Sequence, residues 1–326
     1  MDRKRIFLYA AAAVLAVLVV VFVLLILPKD DGVVNVGICM ADAEADRDYA
    51  EKLESALKNM GYAPEIVDAK NDQSLQNSQI DTFINEKYDA LVVSMVMTST
   101  AEELSQKVQE AGIPTVLIGR EPEAATIAGR DLICFVGCDA GEPGGIQGQL
   151  VAQLPNGADI NDDGTVSYLL LQDAAGKIAT QLRTDGAVKG MLASGMTAQE
   201  LAKVTANGSR TEARSQTARY LAQMGKDIEL VLCNNDEMAL GALEAIEDGG
   251  RSVGKDIYVI GIDGIAEAVQ KVRDGALTAT VLDDRSAQAD KVAEVLQSLL
   301  QGDATEKRYY IPHIAVTAEN AGQFAA

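Results

Sequence analysis

Residues 228–236 read IELVLCNND, a short apolar run that ends abruptly in three polar residues. A run of this length is typical of a strand buried on both faces of a sheet. The same pattern recurs in VVNVGICM (33–40), APEIVDA (63–69), YDALVVSMV (88–96), IPTVLIG (113–119), LICFVGCD (132–139), VSYLLLQ (166–172), IYVIGIDG (257–264) and LTATVLDD (277–284). Helix-length segments separate these runs. The alternation predicts parallel sheets covered by helices on both faces, a doubly wound α/β architecture.

Polar side chains stand at the carboxyl ends of several predicted strands: Asp42, Ser94, Asn234, Asn235, Asp236, Asp263, Asp283 and Asp284. In doubly wound sheets, ligands bind in the crevice outside these ends. The polar segment GREPEAATIAGRDL (119–132) interrupts the strand and helix units, and predicts that the chain crosses there into a second lobe. The predicted fold is therefore α/β, with two Rossmann-like lobes and a hinged cleft.

The amino terminus predicts a membrane anchor. MDRKR (1–5) precedes Ile6 to Leu27, an apolar run long enough to cross a bilayer as one transmembrane helix, with three basic residues on its amino-terminal side and a single lysine, followed by two aspartates, on the other. No lipoprotein cysteine or small-residue cleavage site follows in LLILPKDDGVV (24–34). An uncleaved helix that places the rest of the chain outside the cell is predicted, and cleavage near Pro28 is the alternative.

Composition excludes several classes of function. The chain has 326 residues and a net charge of -20, and this negative charge repels nucleic acid.

Its four cysteines are predicted to be buried free thiols, because Cys134 and Cys138 on one strand would lie about 13 Å apart. The single histidine, His313, has no nucleophile in a recognisable motif, so no catalytic role is predicted. The glycines of GEPGGIQG (141–148) lack nucleotide-binding spacing and are expected to let a helix approach a strand.

The loop DINDDGTVS (159–167) carries oxygen ligands at alternate positions around a glycine. This spacing suits Ca²⁺, with Asp159, Asn161 and Asp163 as side-chain ligands and Gly164 at the sharp turn. The Thr165 carbonyl and Ser167 follow at the seventh and ninth positions. Since the twelfth position is a leucine, a carboxylate from elsewhere must complete the site.

Several stretches together resemble the bacterial periplasmic galactose/glucose-binding protein family, which are type I solute-binding proteins of sugar ABC transporters. These stretches are DAKNDQSLQNSQIDTFI (68–84), the calcium loop, CNNDEMALGALEAI (233–246), VIGIDGIAEAV (259–269) and GALTATVLDD (275–284). The resemblance covers essentially the whole chain after the anchor. It implies the type I periplasmic binding protein fold, a structural Ca²⁺ ion with Glu229 as its remaining ligand, and a hexose site between the lobes.

By motif, the resemblance implies sugar contacts from Tyr49, Arg183, Asn235 and Asp263, with Ser94 and Asp283 replacing family asparagines. Other positions depart from the family. Lys177 and Ala179 stand where the family has a histidine and an aspartate, and Ser209 replaces the second stacking aromatic residue. The additional basic residues, Arg47, Lys177 and Arg210, suggest an acidic sugar paired by Lys177 or Arg210, or else solvated residues at the rim of the lobes.

The resemblance also implies lobe closure about three hinges, near Gly119, Leu282 and Pro312. The predicted organisation is an anchor at 1–32, a first lobe at 33–119 plus 283–312, and a second lobe at 120–282 plus 313–326. The predicted function is extracytoplasmic delivery of a monosaccharide to an ABC permease by a monomer. The alternative is a membrane-tethered sensor that signals to a receptor or kinase. A repressor would need a helix-turn-helix in place of the membrane segment, and an enzyme would need a catalytic constellation.

Overall fold

The structure is a computed structural model that describes residues 32–324. The predicted anchor at Ile6 to Leu27 lies outside these residues and stays a prediction. Within the described range, no helix combines the length and the apolar character needed to cross a membrane.

The first lobe is a six-stranded parallel sheet in the order β11-β5-β4-β3-β1-β2. Its strands are β1 (Asn35–Met40), β2 (Ala63–Asp68), β3 (Ala90–Ser94), β4 (Thr115–Ile118), β5 (Ile133–Gly137) and β11 (Arg308–Tyr310). Its helices are α1 (Arg47–Asn59), α2 (Gln73–Asn85), α3 (Ala101–Ala111), α4 (Ala124–Ile127) and α10 (Arg285–Gln301). Neighbouring residues of β3 are buried in opposite cores: Val92 packs with α1 and α10, and Leu91 with α2 and α3. This burial on both faces explains why β3 has no alternation of apolar and polar residues.

The second lobe has a four-stranded parallel sheet in the order β7-β6-β8-β9. Its strands are β6 (Val166–Gln172), β7 (Ala198–Thr205), β8 (Leu230–Cys233) and β9 (Tyr258–Ile260), with β10 (Thr280–Leu282) paired antiparallel to β12 (Ile314–Val316). Its helices are α5 (Glu142–Gln153), α6 (Ile178–Ala193), α7 (Arg210–Met224), α8 (Asp236–Asp248) and α9 (Ala266–Arg273). β7 was not predicted, because this edge strand is largely exposed and has no apolar run.

The predicted first crossing at Gly119 is wrong. β5 pairs in parallel with β4, so residues 120–137 belong to the first lobe. The polar segment that suggested a crossing instead contains the short helix α4 and returns the chain to the same sheet. The chain first leaves this sheet after Gly137, and the other two passages lie at 283–284, after β10, and at 311–313, after β11.

Glycines of the segment 141–148 bring two helices into close contact. A Cβ atom at Gly144 would lie 2.2 Å from the carbonyl oxygen of Arg183, and one at Gly148 would lie 2.2 Å from that of Ala187. The sequence predicted a close approach of a helix, but the element approached is helix α6 rather than a strand. This contact fixes the position of α6, which carries Arg183.

Candidate functional site

A cleft lies between the lobes at the carboxyl ends of both sheets. Its larger cavity has a volume of about 1060 Å³. This cavity is lined by Asp46 and Tyr49 from the first lobe and by Arg183, Asn235 and Asp263 from the second. A smaller cavity of about 360 Å³ adjoins it and shares Asp46, Arg183, Asp283 and Arg285 with it. The predicted Tyr49, Lys177, Arg183, Asn235, Asp263 and Asp283 line the larger cavity, and Ser94 lines the smaller one.

Arg183 and Asp263 form an ion pair in the second lobe. Arg183 donates from one terminal nitrogen to Asp263 Oδ1 at 3.0 Å and to the carbonyl of Asn234 at 2.7 Å. Burial raises the pKa of Asp263, and the nearby Arg183 charge opposes that increase. Asp263 has a φ of 117°. The next residue, Gly264, leaves no room for a Cβ, which would lie 2.7 Å from Leu282 Cα. The turn that presents Asp263 is therefore held tightly against β10.

Asn235 and Asp236 position the start of α8. Asn235 caps the helix by accepting the backbone N–H of Met238 at 2.9 Å, and its amide nitrogen donates to Gly208 at 3.3 Å. Asp236 is fully buried and accepts from the Thr280 hydroxyl at 2.6 Å and the backbone N–H of Ile265 at 2.9 Å. Burial raises the pKa of Asp236 well above its usual value. The Asn-Asn-Asp motif thus links the start of α8 to the neighbouring segments at Gly208, Ile265 and Thr280.

Tyr49 does not offer a free aromatic face to the cleft. The residue is only 3% exposed, and the guanidinium of Arg285 lies over its ring. The Tyr49 hydroxyl is buried without a hydrogen-bond partner, and burial raises its pKa. Arg285 also pairs with Asp283 Oδ2 at 2.8 Å. The planar group presented at this position is therefore the guanidinium of Arg285, a residue that the sequence analysis missed although it directly follows the strand-end aspartates.

Each of the additional basic residues is either held in an ion pair or lies outside the lining of the cleft. Lys177 is at the rim, with its side chain 60% exposed and paired with Asp173 at 2.8 Å. Arg210 is held by Glu244 at 2.7 Å and by Glu267 at 2.8 Å, and it does not line the cleft. Arg47 is exposed and also does not line the cleft. Ser209, which replaces an aromatic residue of the family, caps the start of helix α7.

The charged side chains that line the larger cavity are arranged in pairs. Each of its four basic residues contacts an aspartate: Lys52 with Asp48, Lys177 with Asp173, Arg183 with Asp263, and Arg285 with Asp283. The lining contains two further aspartates, Asp46 and Asp284, and the side chain of Asp284 caps helix α10. The lining therefore carries more negative than positive charge.

The predicted calcium loop lies at the opposite end of the second sheet, where β6 and β8 begin. Asp159 accepts the backbone N–H of Gly164 at 2.8 Å, and Asn161 accepts that of Asp163 at 2.9 Å. Glu229 is 1% exposed, and its two oxygens accept backbone N–H groups from Ile160, Asn161 and Ser167 at 2.8–2.9 Å. Among the described residues, no ion pair compensates this buried carboxylate. The all-oxygen donor set and the buried carboxylate of Glu229 fit a hard cation.

The fold and the cleft together define a hinged solute-binding protein: two doubly wound lobes joined by three passages of the chain around a polar cleft. Residues 40–304 match the family model of the periplasmic binding protein domain. The chain therefore belongs to this family, whose members act outside the cytoplasm.

Relatives of known name support the same class. The chain is 32% identical over 270 residues to the D-galactose/methyl-galactoside binding periplasmic protein MglB of Haemophilus influenzae, covering 79% of this chain and 80% of the relative. It is 30% identical over 280 residues to a putative rhizopine-binding protein of Rhizobium meliloti, covering 85% of each. A solved ABC transporter solute-binding protein of Bacillus halodurans, with bound myo-inositol, aligns with a TM-score of 0.70 at 26% identity over 91% of this chain and 99% of that chain. The protein belongs with solute-binding proteins of transporters, not with enzymes, as the sequence predicted.

Proposed function

We propose that the protein binds an uncharged sugar or cyclic polyol between its lobes and delivers it to an ABC transporter. The observation that carries this proposal is the pairing of every basic side chain that lines the larger cavity. An ion pair still has N–H donors and carboxylate lone pairs at its edges, so it can hydrogen-bond to neighbouring hydroxyl groups as donor and acceptor. D-galactose and myo-inositol, named with two of the relatives, are uncharged polyols.

An acidic sugar is disfavoured by the same charges. Lys177 and Arg210, which the sequence suggested as partners of an anion, are already paired with Asp173 and with two glutamates. An excess of aspartates over basic residues in the lining repels a carboxylate ligand. The proposal therefore replaces the acidic-sugar hypothesis.

The ligand would contact both lobes and a chain passage at once. The Arg183–Asp263 pair belongs to the second lobe, the Arg285–Asp283 pair lies at the second passage, and Tyr49 belongs to the first lobe. Tyr49 is buried beneath the Arg285 guanidinium, so on the first-lobe side the ligand would meet this cation and the lining residue Asp46. Ligand binding would therefore favour the closed arrangement of the lobes.

We also propose that the loop at 159–167 and Glu229 hold a structural Ca²⁺ ion. Bound there, the ion would neutralise the carboxylates and fix the loop. Because the loop lies at the amino ends of β6 and β8, away from the cleft, its contribution would be to the stability of the second lobe rather than to ligand contacts.

Thermal melts of the full chain in mild detergent, with saturating Ca²⁺, test the proposed ligand class. Galactose, glucose, ribose, allose and myo-inositol are compared with galacturonate and glucuronate. A ligand at 100 times its dissociation constant stabilises by about 2.7 kcal/mol, which is a measurable shift in midpoint. We expect a shift with an uncharged polyol, and a larger shift with a uronate would refute the proposal.

A pair of matched variants locates the binding site. Asp263→Asn removes the charge of the Arg183 pair, while asparagine still tolerates the positive φ at this position. Asp81→Asn makes the same change in an exposed pair with Lys107, outside the cleft. The shift should be reduced in the first variant and retained in the second.

A further inference from the structure

The three passages of the chain between the lobes each contribute one side chain to a single cluster. Cys138 follows β5, Asp283 follows β10, and His313 lies between β11 and β12. One potential ligand atom from each lies within 4.8 Å of the other two. The Cys138 sulfur and Asp283 Oδ1 are 3.3 Å apart. The fold therefore brings together three residues that are distant in the sequence.

A thiolate, a carboxylate and an imidazole are all ligands of Zn²⁺. With bond lengths of 2.0 to 2.3 Å, tetrahedral ligand atoms lie about 3.3 to 3.8 Å apart, so the observed cluster needs only small adjustments to surround an ion. Three protein ligands leave the fourth position to water. The loop at 159–167, by contrast, has only oxygen donors and suits a harder cation.

His313 is oriented as a metal-binding histidine would be. Its Nδ1 lies 2.8 Å from Glu142 Oε2, and its backbone N–H donates to the same oxygen at 2.9 Å. A Glu142 carboxylate that accepts from Nδ1 leaves Nε2 as the ligand atom, and such partners hold and strengthen metal-binding imidazoles. His313 is 8% exposed, so the ring is fixed by its surroundings.

An ion and its water ligand can reach the cluster. All three residues line the cavity of about 360 Å³ that adjoins the cleft. Asp283 keeps Arg285 on Oδ2, while its Oδ1 accepts from the Gln288 amide and faces Cys138 with its remaining lone pair. Metal binding would release the proton of the Cys138 thiol, and the thiolate, Asp283 and Glu142 would together balance the charges of the ion and of Arg285.

We infer that Cys138, Asp283 and His313 bind one Zn²⁺ ion where the three passages meet, with Glu142 orienting His313. Because each ligand comes from a different passage, the ion joins all three. A rotation of the lobes that separates these passages would have to break a metal bond. Zinc therefore stabilises the arrangement of the lobes described here.

The test uses the full chain in mild detergent with excess Ca²⁺ and Co²⁺ as the spectroscopic probe. A cobalt–thiolate bond gives an intense charge-transfer band in the near ultraviolet, which an all-oxygen site does not produce. We expect one Co²⁺ per chain with this band, and its loss when Zn²⁺ is added. No sugar enters the measurement, so its outcome is independent of the proposed ligand.

Variants assign the band to the cluster. Cys138→Ser should abolish it, and Glu142→Gln should weaken Co²⁺ binding about 10- to 100-fold. Cys134→Ser is the matched control, because Cys134 is a buried thiol on β5, the strand that Cys138 follows, and it lies outside the cluster, so the band should be unchanged. Melts without metal verify that each variant is folded. A folded native chain without the band, or a band that persists in Cys138→Ser, would overturn the inference.

Discussion

The guanidinium carbon of Arg285 lies 4.9 Å from the centroid of the Tyr49 ring, so a cation covers the aromatic face that the sequence suggested as a stacking surface for sugar. The same side chain is paired with Asp283 at 2.8 Å. Arg285 is thus held from two sides in the cleft. A planar guanidinium can itself stack against a ring and donate several hydrogen bonds.

Arg285→Met should weaken ligand binding about tenfold to a hundredfold. Hydrogen bonds that involve a charged group contribute roughly 1.5 to 3 kcal/mol, and the substitution also leaves Asp283 without its cationic partner. Titration calorimetry with the ligand found by the melts measures the change. Arg214→Met, in an exposed cluster on α7, is the control. Equal affinities for the two variants would contradict the role given to Arg285.

The buried Asp236 should make the stability of the chain depend on pH in a definite direction. Its folded pKa is raised above the usual value of 3.8, so the folded state binds the proton more tightly than the unfolded state. The contribution of Asp236 is therefore fully present below about pH 3.8 and declines as pH rises towards the folded pKa.

Chemical denaturation of the native chain and Asp236→Asn at several pH values measures this contribution. The asparagine cannot titrate, so the difference in unfolding free energy, native minus variant, should fall as pH increases above 4. The slope of that difference is limited to about 1.4 kcal/mol per pH unit for one proton. A difference that is constant with pH would show that Asp236 keeps an ordinary pKa.

Gly148→Ala and Gly145→Ala form a matched pair on α5. The first places a methyl group 2.2 Å from the carbonyl oxygen of Ala187 on α6, whereas the second meets nothing within 4 Å. Overpacking costs about 1 to 3 kcal/mol, while alanine is favoured over glycine in a helix by about 0.5 to 1 kcal/mol. Thermal melts should show a lower midpoint for Gly148→Ala and an equal or higher one for Gly145→Ala. Similar midpoints would mean that the two helices separate easily.

Removing Ca²⁺ with a chelator should lower the melting midpoint. At a free Ca²⁺ concentration of 100 times the dissociation constant, binding adds about 2.7 kcal/mol to the free energy of unfolding. Asp163→Asn should weaken this effect because it removes one proposed charged ligand. Asp162→Asn changes a neighbouring residue that is not a proposed ligand and has a φ of 61°, which asparagine accepts. If both variants respond to Ca²⁺ alike, the ion is bound elsewhere or through other loop atoms.

The sequence predicted strands correctly where apolar runs were continuous, as in β3 and β8, because strands buried on both faces produce that pattern. It failed at β7, which lies at an exposed edge, and at the polar segment before β5, where a change of composition did not mark a change of lobe. In the site, Asn235 and Asp263 were found because they end strands. The contact of Cys138 with Asp283 depends on tertiary packing, which local patterns do not encode.

The first lobe is assembled from two separate parts of the chain, so it can complete its folding only after the later part has been synthesised. Val292, Leu296 and Leu299 of α10 complete the core that α1 begins, and β11 covers the edge of β5. Val316 likewise belongs to the core of the second lobe. While the chain is being made or exported, β5 remains an open edge beside exposed apolar surface until these last segments arrive. Neither lobe can finish folding early, so a chain interrupted before residue 285 would be aggregation-prone, and native folding is completed only when nearly the whole polypeptide is present.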